Sequence, residues 1–199
     1  MEKEKDEKDE PASRNKEHVQ PWIASTVDYY IKKGQIITKG GTIWGYNHGA
    51  YTLHAESIIR RKLTNERWPN CPSYVVEEVL RRIRNKTGND TVEFNPEAGK
   101  FINLKNGVYT LKEQKLLPHS ADYRFMYVLP FGYGPEADCP RFKQFLQEVL
   151  EEKYRPLIQE IFGYCLLTDY RFHKLFILHG SGNNGKTVLL NVLMEFLGK

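Results

Sequence analysis

The stretch that most limits what this chain can become is Lys174 to Gly198, KLFILHGSGNNGKTVLLNVLMEFLG. Its run Leu175, Phe176, Ile177, Leu178 is short, apolar and β-compatible, the character of a central strand in a parallel sheet covered on both faces. Gly180 breaks that run, and Gly180 to Thr187 fits the GxxxxGK[ST] phosphate-loop pattern. From Val188 to Leu197 apolar residues recur almost all round a helix, with Gly198 as its C-cap, so this helix is expected to be buried. Strand, glycine loop and helix in that order predict the first unit of an α/β P-loop nucleotide-binding domain.

The loop's residue types suit anion chemistry. Gly182 and Gly185 let the backbone turn tightly enough for successive N–H groups, those of Asn183 and Asn184 among them, to face phosphate oxygens. The following helix adds the partial positive charge of its N-terminus. The candidate nucleotide site is therefore Gly180, Ser181, Gly182, Asn183, Asn184, Gly185, Lys186 and Thr187. Lys186 is the candidate catalytic group, reaching the β- and γ-phosphates of ATP, and Thr187 is the candidate Mg²⁺ ligand through its hydroxyl. The bland alternative is an ordinary glycine-rich turn.

At 199 residues the chain is long enough to bury a sizeable core in one or two domains. No apolar run reaches the ~18 residues of a membrane-spanning helix, and the N-terminus lacks the apolar segment of a signal peptide. Cys71, Cys139 and Cys165 are odd in number and too scattered for a zinc pattern, which points to a reducing, cytoplasmic setting. Met1 to Glu10 holds three lysines against six acids, leaving 26 basic and 19 acidic side chains in the remainder, an excess of seven. Such an excess permits a nucleic-acid partner and is equally that of a solvated surface.

Taken in order, residues 1 to 17 are charged, poor in apolar groups and interrupted by Pro11, and are expected to be a disordered tail. From Pro21 to Lys33 the apolar residues Ile23, Val27, Tyr30 and Ile31 predict an amphipathic helix ended by Gly34. Gln35 to Lys39, Thr42 to Tyr46 and Ala50 to His54 read as a small hairpin or meander. Its Trp44, Tyr46, His48, Tyr51 and His54 either stack bases or simply pack the sheet. Helices are predicted over Ala55 to Arg67 and Ser73 to Lys86, the second with Tyr74, Val75, Val76, Val79, Leu80 and Ile83 as its buried stripe. Their Arg60, Arg61, Lys62, Arg67, Arg81, Arg82, Arg84 and Lys86 are either a DNA-backbone patch or cations favourably placed near helix C-termini. Arg60, Arg61, Lys62, Arg81, Arg82 and Arg84 are the candidate DNA contacts.

Beyond Phe101, apolar and polar residues alternate around Asn106 and Gly107, which predicts a type I′ hairpin. Asp122 to Pro130 offers one more strand, and Phe131 to Asp138, FGYGPEAD, a loop at a domain junction. Cys139 to Glu152, with Pro140 in its first turn, and Arg155 to Thr168 form a helical collar. Paired carboxylates of a polymerase-type centre are not found outside the tail. Imagining His119, Asp138 and Cys139 as metal ligands matches no closed site. After Thr187 no second acidic motif, water-orienting residue or arginine finger follows.

Several motifs in order resemble the phage and plasmid primase-helicase family: Ile102 to Tyr109 (INLKNGVY), His119, the run Leu129 to Tyr133, Ala137 to Pro140 (ADCP) with Phe142, Ile161 to Leu167 (IFGYCLL) with Thr168 and Asp169, and Gly180 to Thr187. Residues from about Val19 to Asp169 are similar to the poxvirus-type primase N-terminal domain, which in that family precedes a superfamily 3 helicase motor. The resemblance implies a replication protein of a virus, plasmid or integrated element that assembles as a homo-oligomer, a hexameric ring, and moves on DNA with ATP and Mg²⁺, with no membrane association. It carries Gly180, Gly185, Lys186 and Thr187 into nucleotide and metal roles and no other catalytic residue.

The expected fold is an α+β N-terminal domain with a helical collar, leading into the first strand-loop-helix of an α/β P-loop NTPase, incomplete at Lys199. The expected divisions are a charged tail over 1–17, a mixed α/β domain over 18–136, the collar over 137–170 and the start of the ATPase domain over 171–199. The motor is expected to be cut after its first motif, so that this chain binds nucleotide feebly without turning it over. The rival readings are a non-catalytic DNA-binding or ring-assembly module with a vestigial P-loop, and an unrelated phosphate-loop kinase.

Overall fold

The computed structural model describes residues 11, 15–169, 171–182 and 184–198. The expected tail lies almost wholly outside the described residues, as does Asn183 of the glycine loop. The chain is α+β and divides into two units, Met1–Glu93 and Phe94–Lys199.

The first unit is built on helix α1, Lys16–Gly34, which places Pro21 in its interior. The expected start at Pro21 is therefore corrected to Lys16. A proline there removes one backbone hydrogen bond, yet Val19, Trp22, Ile23, Val27 and Tyr30 all lie buried on one face, and that apolar burial outweighs the lost bond. Strands β1 (Ile36–Lys39), β2 (Thr42–Asn47) and β3 (Ala50–Thr52) form the expected antiparallel meander, in that order. Helix α2, Ala55–Lys62, runs into a single π turn over Leu63–Arg67, and helix α3 spans Ser73–Thr87. Val75, Val76, Val79, Leu80 and Ile83 form the buried stripe of α3, packed with Ile23, Val27, Ile43, Ile59 and Leu63 in one core. Tyr74 departs from the expected stripe and is exposed. Trp22 and Trp68 meet edge to face with ring centroids 5.2 Å apart.

The second unit opens on β4 (Phe101–Leu104), β5 (Gly107–Thr110) and β6 (Lys115–Leu117), again an antiparallel meander. The β4–β5 turn is not type I′. Leu104 pairs with Gly107, so Lys105 and Asn106 are the central residues, and neither has the positive φ that type I′ requires. The positive φ falls on Gly107, at 151°, while Asn106 is held from both sides by Tyr133: its Nδ2 donates to the Tyr133 carbonyl and its Oδ1 accepts from the Tyr133 amide, each at 2.9 Å. Instead of the expected strand over Asp122 to Pro130, a short 3₁₀ turn at Ala121–Tyr123 is followed by one bridge, Leu129 to Leu104. The buried Asn103 ties this segment to the sheet by donating to the Tyr127 carbonyl at 2.6 Å.

Helices α4 (Pro140–Val149) and α5 (Arg155–Cys165) follow, each with a proline in its first turn. In α4 the expected inward residues Phe142, Phe145, Leu146 and Val149 are the half-buried ones. Helix α6 spans Lys186–Phe196. Its Phe196 stacks on Phe131 at 4.6 Å and meets Phe162 at 5.8 Å, both within this unit.

Two expectations for this end of the chain are corrected. Leu175 to Leu178 form no strand; Leu175 and Ile177 are 84% and 80% exposed, because no neighbouring strand among the described residues offers them a ladder. Helix α6 is not buried all round, since only Leu189 is fully covered and Val188, Leu190 and Met194 stand about half exposed.

Candidate functional site

The glycine loop is organised by a lysine. Gly185, at φ 82°, turns the chain into the first residue of α6, and a side chain there would press on Phe145 and Val149 of α4 at 3.0 Å. Only glycine satisfies both the backbone angle and the close approach. The Lys186 ammonium then folds back over the loop and donates to the carbonyls of Gly180 and Ser181, at 3.0 and 2.9 Å, and to Oδ1 of Asn184 at 2.6 Å. A β-carbon on Gly180 would collide with the Asn184 amide, so that glycine makes room for the arrangement. Thr187 is exposed in the first turn of α6. Gly180, Ser181, Asn184, Gly185 and Lys186 are thus brought together, Gly182 and Thr187 border them, and Asn183 lies outside the described residues. The role of Asn184 as an acceptor for the lysine, rather than as an amide donor alone, is not evident from the motif.

An anion suits this arrangement, because the first N–H groups of a helix have no intrahelical acceptor and the lysine supplies a positive charge. For Mg²⁺ the fit is partial. Thr187 presents one hydroxyl, and among the described residues no cluster of three His, Cys, Asp or Glu side chains could hold a metal. His119 donates from Nε2 to the Leu104 carbonyl at 2.8 Å, and Asp138 pairs with Lys143, so both have structural partners.

The candidate DNA contacts divide sharply. Arg60 pairs with Glu56 at 3.0 Å and Glu77 at 2.6 Å, and Arg84 pairs with Glu56 at 2.7 Å. Arg81 and Arg82 share Glu78, at 2.8 and 2.7 Å, and Arg82 also donates to Gln20 at 2.6 Å. Hydrogen bonds from Arg81 and Arg82 lower the Glu78 carboxyl to about 2. Burial raises Glu56, but hydrogen bonds from Arg84 and Arg60 outweigh it and hold the carboxyl below its usual range. These four arginines are bound into two clusters, Arg60 and Arg84 with Glu56 and Glu77, and Arg81 and Arg82 with Glu78. Arg61 and Lys62 have no ion pair among the described residues.

Lys62 instead lines a cleft of about 290 Å³ in the first unit, where the end of α1, the strand β2 and α2 converge. Tyr29, Tyr30, Lys33 and Tyr46 line it too. Of the aromatic residues singled out in the meander, only Tyr46 belongs to this cleft, whereas Tyr51 is buried in the fold and His48 and His54 face solvent elsewhere. Sequence reasoning missed Tyr29 and Lys33; their i, i+4 spacing on α1, with Lys33 Nζ donating to the Tyr29 hydroxyl at 2.9 Å, was the available signal.

The fold is α+β, with two three-stranded antiparallel meanders and a following group of helices. The family model described as D5 N terminal like matches residues 11–151, and the chain belongs to that family, the N-terminal region of primase-helicases of viral and phage type in DNA replication. No curated protein matches the chain. Among the described residues no helix is long and apolar enough to cross a membrane.

Proposed function

We propose that this chain is the N-terminal part of an ATP-dependent replicative DNA helicase of a virus, plasmid or integrated element, and that residues 180–187 bind the phosphates of ATP. The observation that carries the reading is the Lys186 ammonium seated among the loop carbonyls, in the same chain as a domain of the D5 N terminal like family and C-terminal to it. In this reading the α6 amides and Lys186 hold the β- and γ-phosphates, and Lys186 stabilises charge on the transferred group. Thr187 would supply a hydroxyl to Mg²⁺, which would neutralise phosphate charge. The working form is a homo-oligomer, a hexameric ring around DNA, inside the host cell.

Titration with a fluorescent ATP analogue tests the nucleotide site. The parent chain binds weakly, and Lys186→Ala weakens binding by about tenfold or more through loss of a charge-assisted contact. Steady-state turnover stays at background in both. Binding unaffected by Lys186→Ala overturns the assignment, and turnover that vanishes in that variant means that a complete catalytic site assembles. A second reading, a DNA-binding or ring-assembly module with a vestigial loop, draws on the absence of a strand at Leu175 to Leu178. It predicts DNA binding or self-association with no Lys186-dependent nucleotide affinity.

A further inference from the structure

We propose that the tyrosine-lined cleft of the first unit takes one unstacked base of single-stranded DNA, with the flanking phosphates on Lys62 and Lys33. The cleft is small, at about 290 Å³, near the lower end of the range for ligand pockets, which suits a single base better than a large organic molecule. Tyr29 and Tyr46 line it together with Ile36 and the buried Tyr30, and its charged members are the two lysines. No carboxylate lines it.

This division of charge is what singles the cleft out. Across the rest of the basic surface of α2 and α3, Arg60, Arg81, Arg82 and Arg84 are matched by Glu56, Glu77 and Glu78, which would repel a phosphate chain or have to give up their partners to it, and Arg61, though without an ion pair among the described residues, does not line the cleft. Lys62 has no such partner among the described residues, and it stands beside aromatic side chains rather than beside acids. Aromatic surface with cations and without acids is the composition that binds unpaired strands, because every base has a π-face and every linkage a negative charge. A duplex keeps its bases stacked and cannot present one to the cleft.

The buried tyrosine of the lining is neutral. Tyr30 is only 7% exposed and its hydroxyl is covered, close to the Arg67 guanidinium. Burial raises that phenol to about 12, with the charge and hydrogen bonding of Arg67 offsetting part of the effect, so it adds no negative charge to the cleft at physiological pH. Gly45 brings β2 close to α2 at the same place: a β-carbon there would lie 2.8 Å from that of Ala55, so the glycine sets how near the two elements stand.

The proposal takes its choice of nucleic acid from the replication family, and it does not depend on the glycine loop. The test is anisotropy of the full chain with a labelled oligomer of about 12 thymidines, beside a duplex of the same length, over a range of salt. The single strand is expected to bind more tightly than the duplex. Tyr46→Leu, which keeps apolar volume, should weaken binding about tenfold or more by removing a stacking face. Lys62→Gln should reduce the slope of log affinity against log salt by roughly 0.7, one phosphate contact. Lys112→Gln, exposed in the second unit, should change only non-specific attraction and leave the single-strand preference intact. Equal affinity for duplex, competition by thymidine monophosphate at concentrations comparable to the strand, indifference to both cleft variants, or no binding at low salt each overturns the proposal. Should Tyr46→Leu fail to fold, photocrosslinking of the parent chain to an iododeoxyuridine strand decides: adducts on the peptides bearing Tyr29 or Tyr46 support the cleft, and adducts elsewhere overturn it. Failure here with intact Lys186-dependent nucleotide binding leaves the helicase reading standing, and the converse pattern leaves the cleft standing.

Discussion

Glu78 illustrates how one carboxylate can set the acid behaviour of a surface. Its pKa in the fold, lowered to about 2 by bonds from Arg81 and Arg82, lies below the ordinary value of 4.5 that it regains on unfolding. The stability it contributes is complete above pH 4.5 and is lost as pH falls from there through about 2. Comparison of the parent with Glu78→Gln by thermal melting should show an advantage for the parent at neutral pH that shrinks across that interval; a constant difference would count against the ion pairs. The cysteines give a second measurement. Burial raises the Cys71 thiol to about 11, whereas Cys139 is exposed. A maleimide should therefore label Cys139 within the native protein and reach Cys71 only on unfolding.

Among the elements, the β4–β5 hairpin carries the most exacting requirement. Gly107 holds φ 151°, and a β-carbon there would lie 2.5 Å from the Leu117 carbonyl, a backbone atom that cannot swing aside. Gly107→Ala is expected to destabilise the second unit by about 2 kcal/mol or more, read from a denaturant midpoint. In the first unit Ile83, wholly buried on α3, should lose about 2 to 5 kcal/mol on change to alanine. Much of this element level is legible in the sequence, because the Val75, Val76, Val79, Leu80, Ile83 spacing and the alternation after Phe101 are dictated by backbone period alone. What escapes is set by tertiary partners. The turn type at Asn106 depends on Tyr133, 27 residues away, and the pairing of Arg60 with Glu77 joins two helices. By contrast, Glu78 to Arg82 and Glu56 to Arg60 have the i, i+4 spacing that foretells a helical ion pair.

On the scale of the whole chain, its two units differ in how fully each is packed. The first has a continuous core from Val19 to Ile83, while the second buries Ile102, Leu104 and Leu129 and leaves its later helices partly open. Hydrogen exchange should therefore be slowest in α1 and α3 and much faster in α6, since local opening follows the amount of buried apolar surface. Uniform protection across both units would contradict this. The glycine loop's residues are legible from the sequence because its motif is local. The strand before it is not, because a strand exists only through its neighbours.

The lysine in that loop has a further consequence. With its ammonium already held by two carbonyls and an asparagine oxygen, Lys186 acts as a brace, a positive charge that draws the oxygens of the loop inward. On the proposed nucleotide reading, an arriving phosphate would compete for a cation that is already engaged. Removing the lysine would therefore strip away an attraction and a scaffold together, and Lys186→Arg and Asn184→Ala, which disturb one more than the other, would tell the two apart.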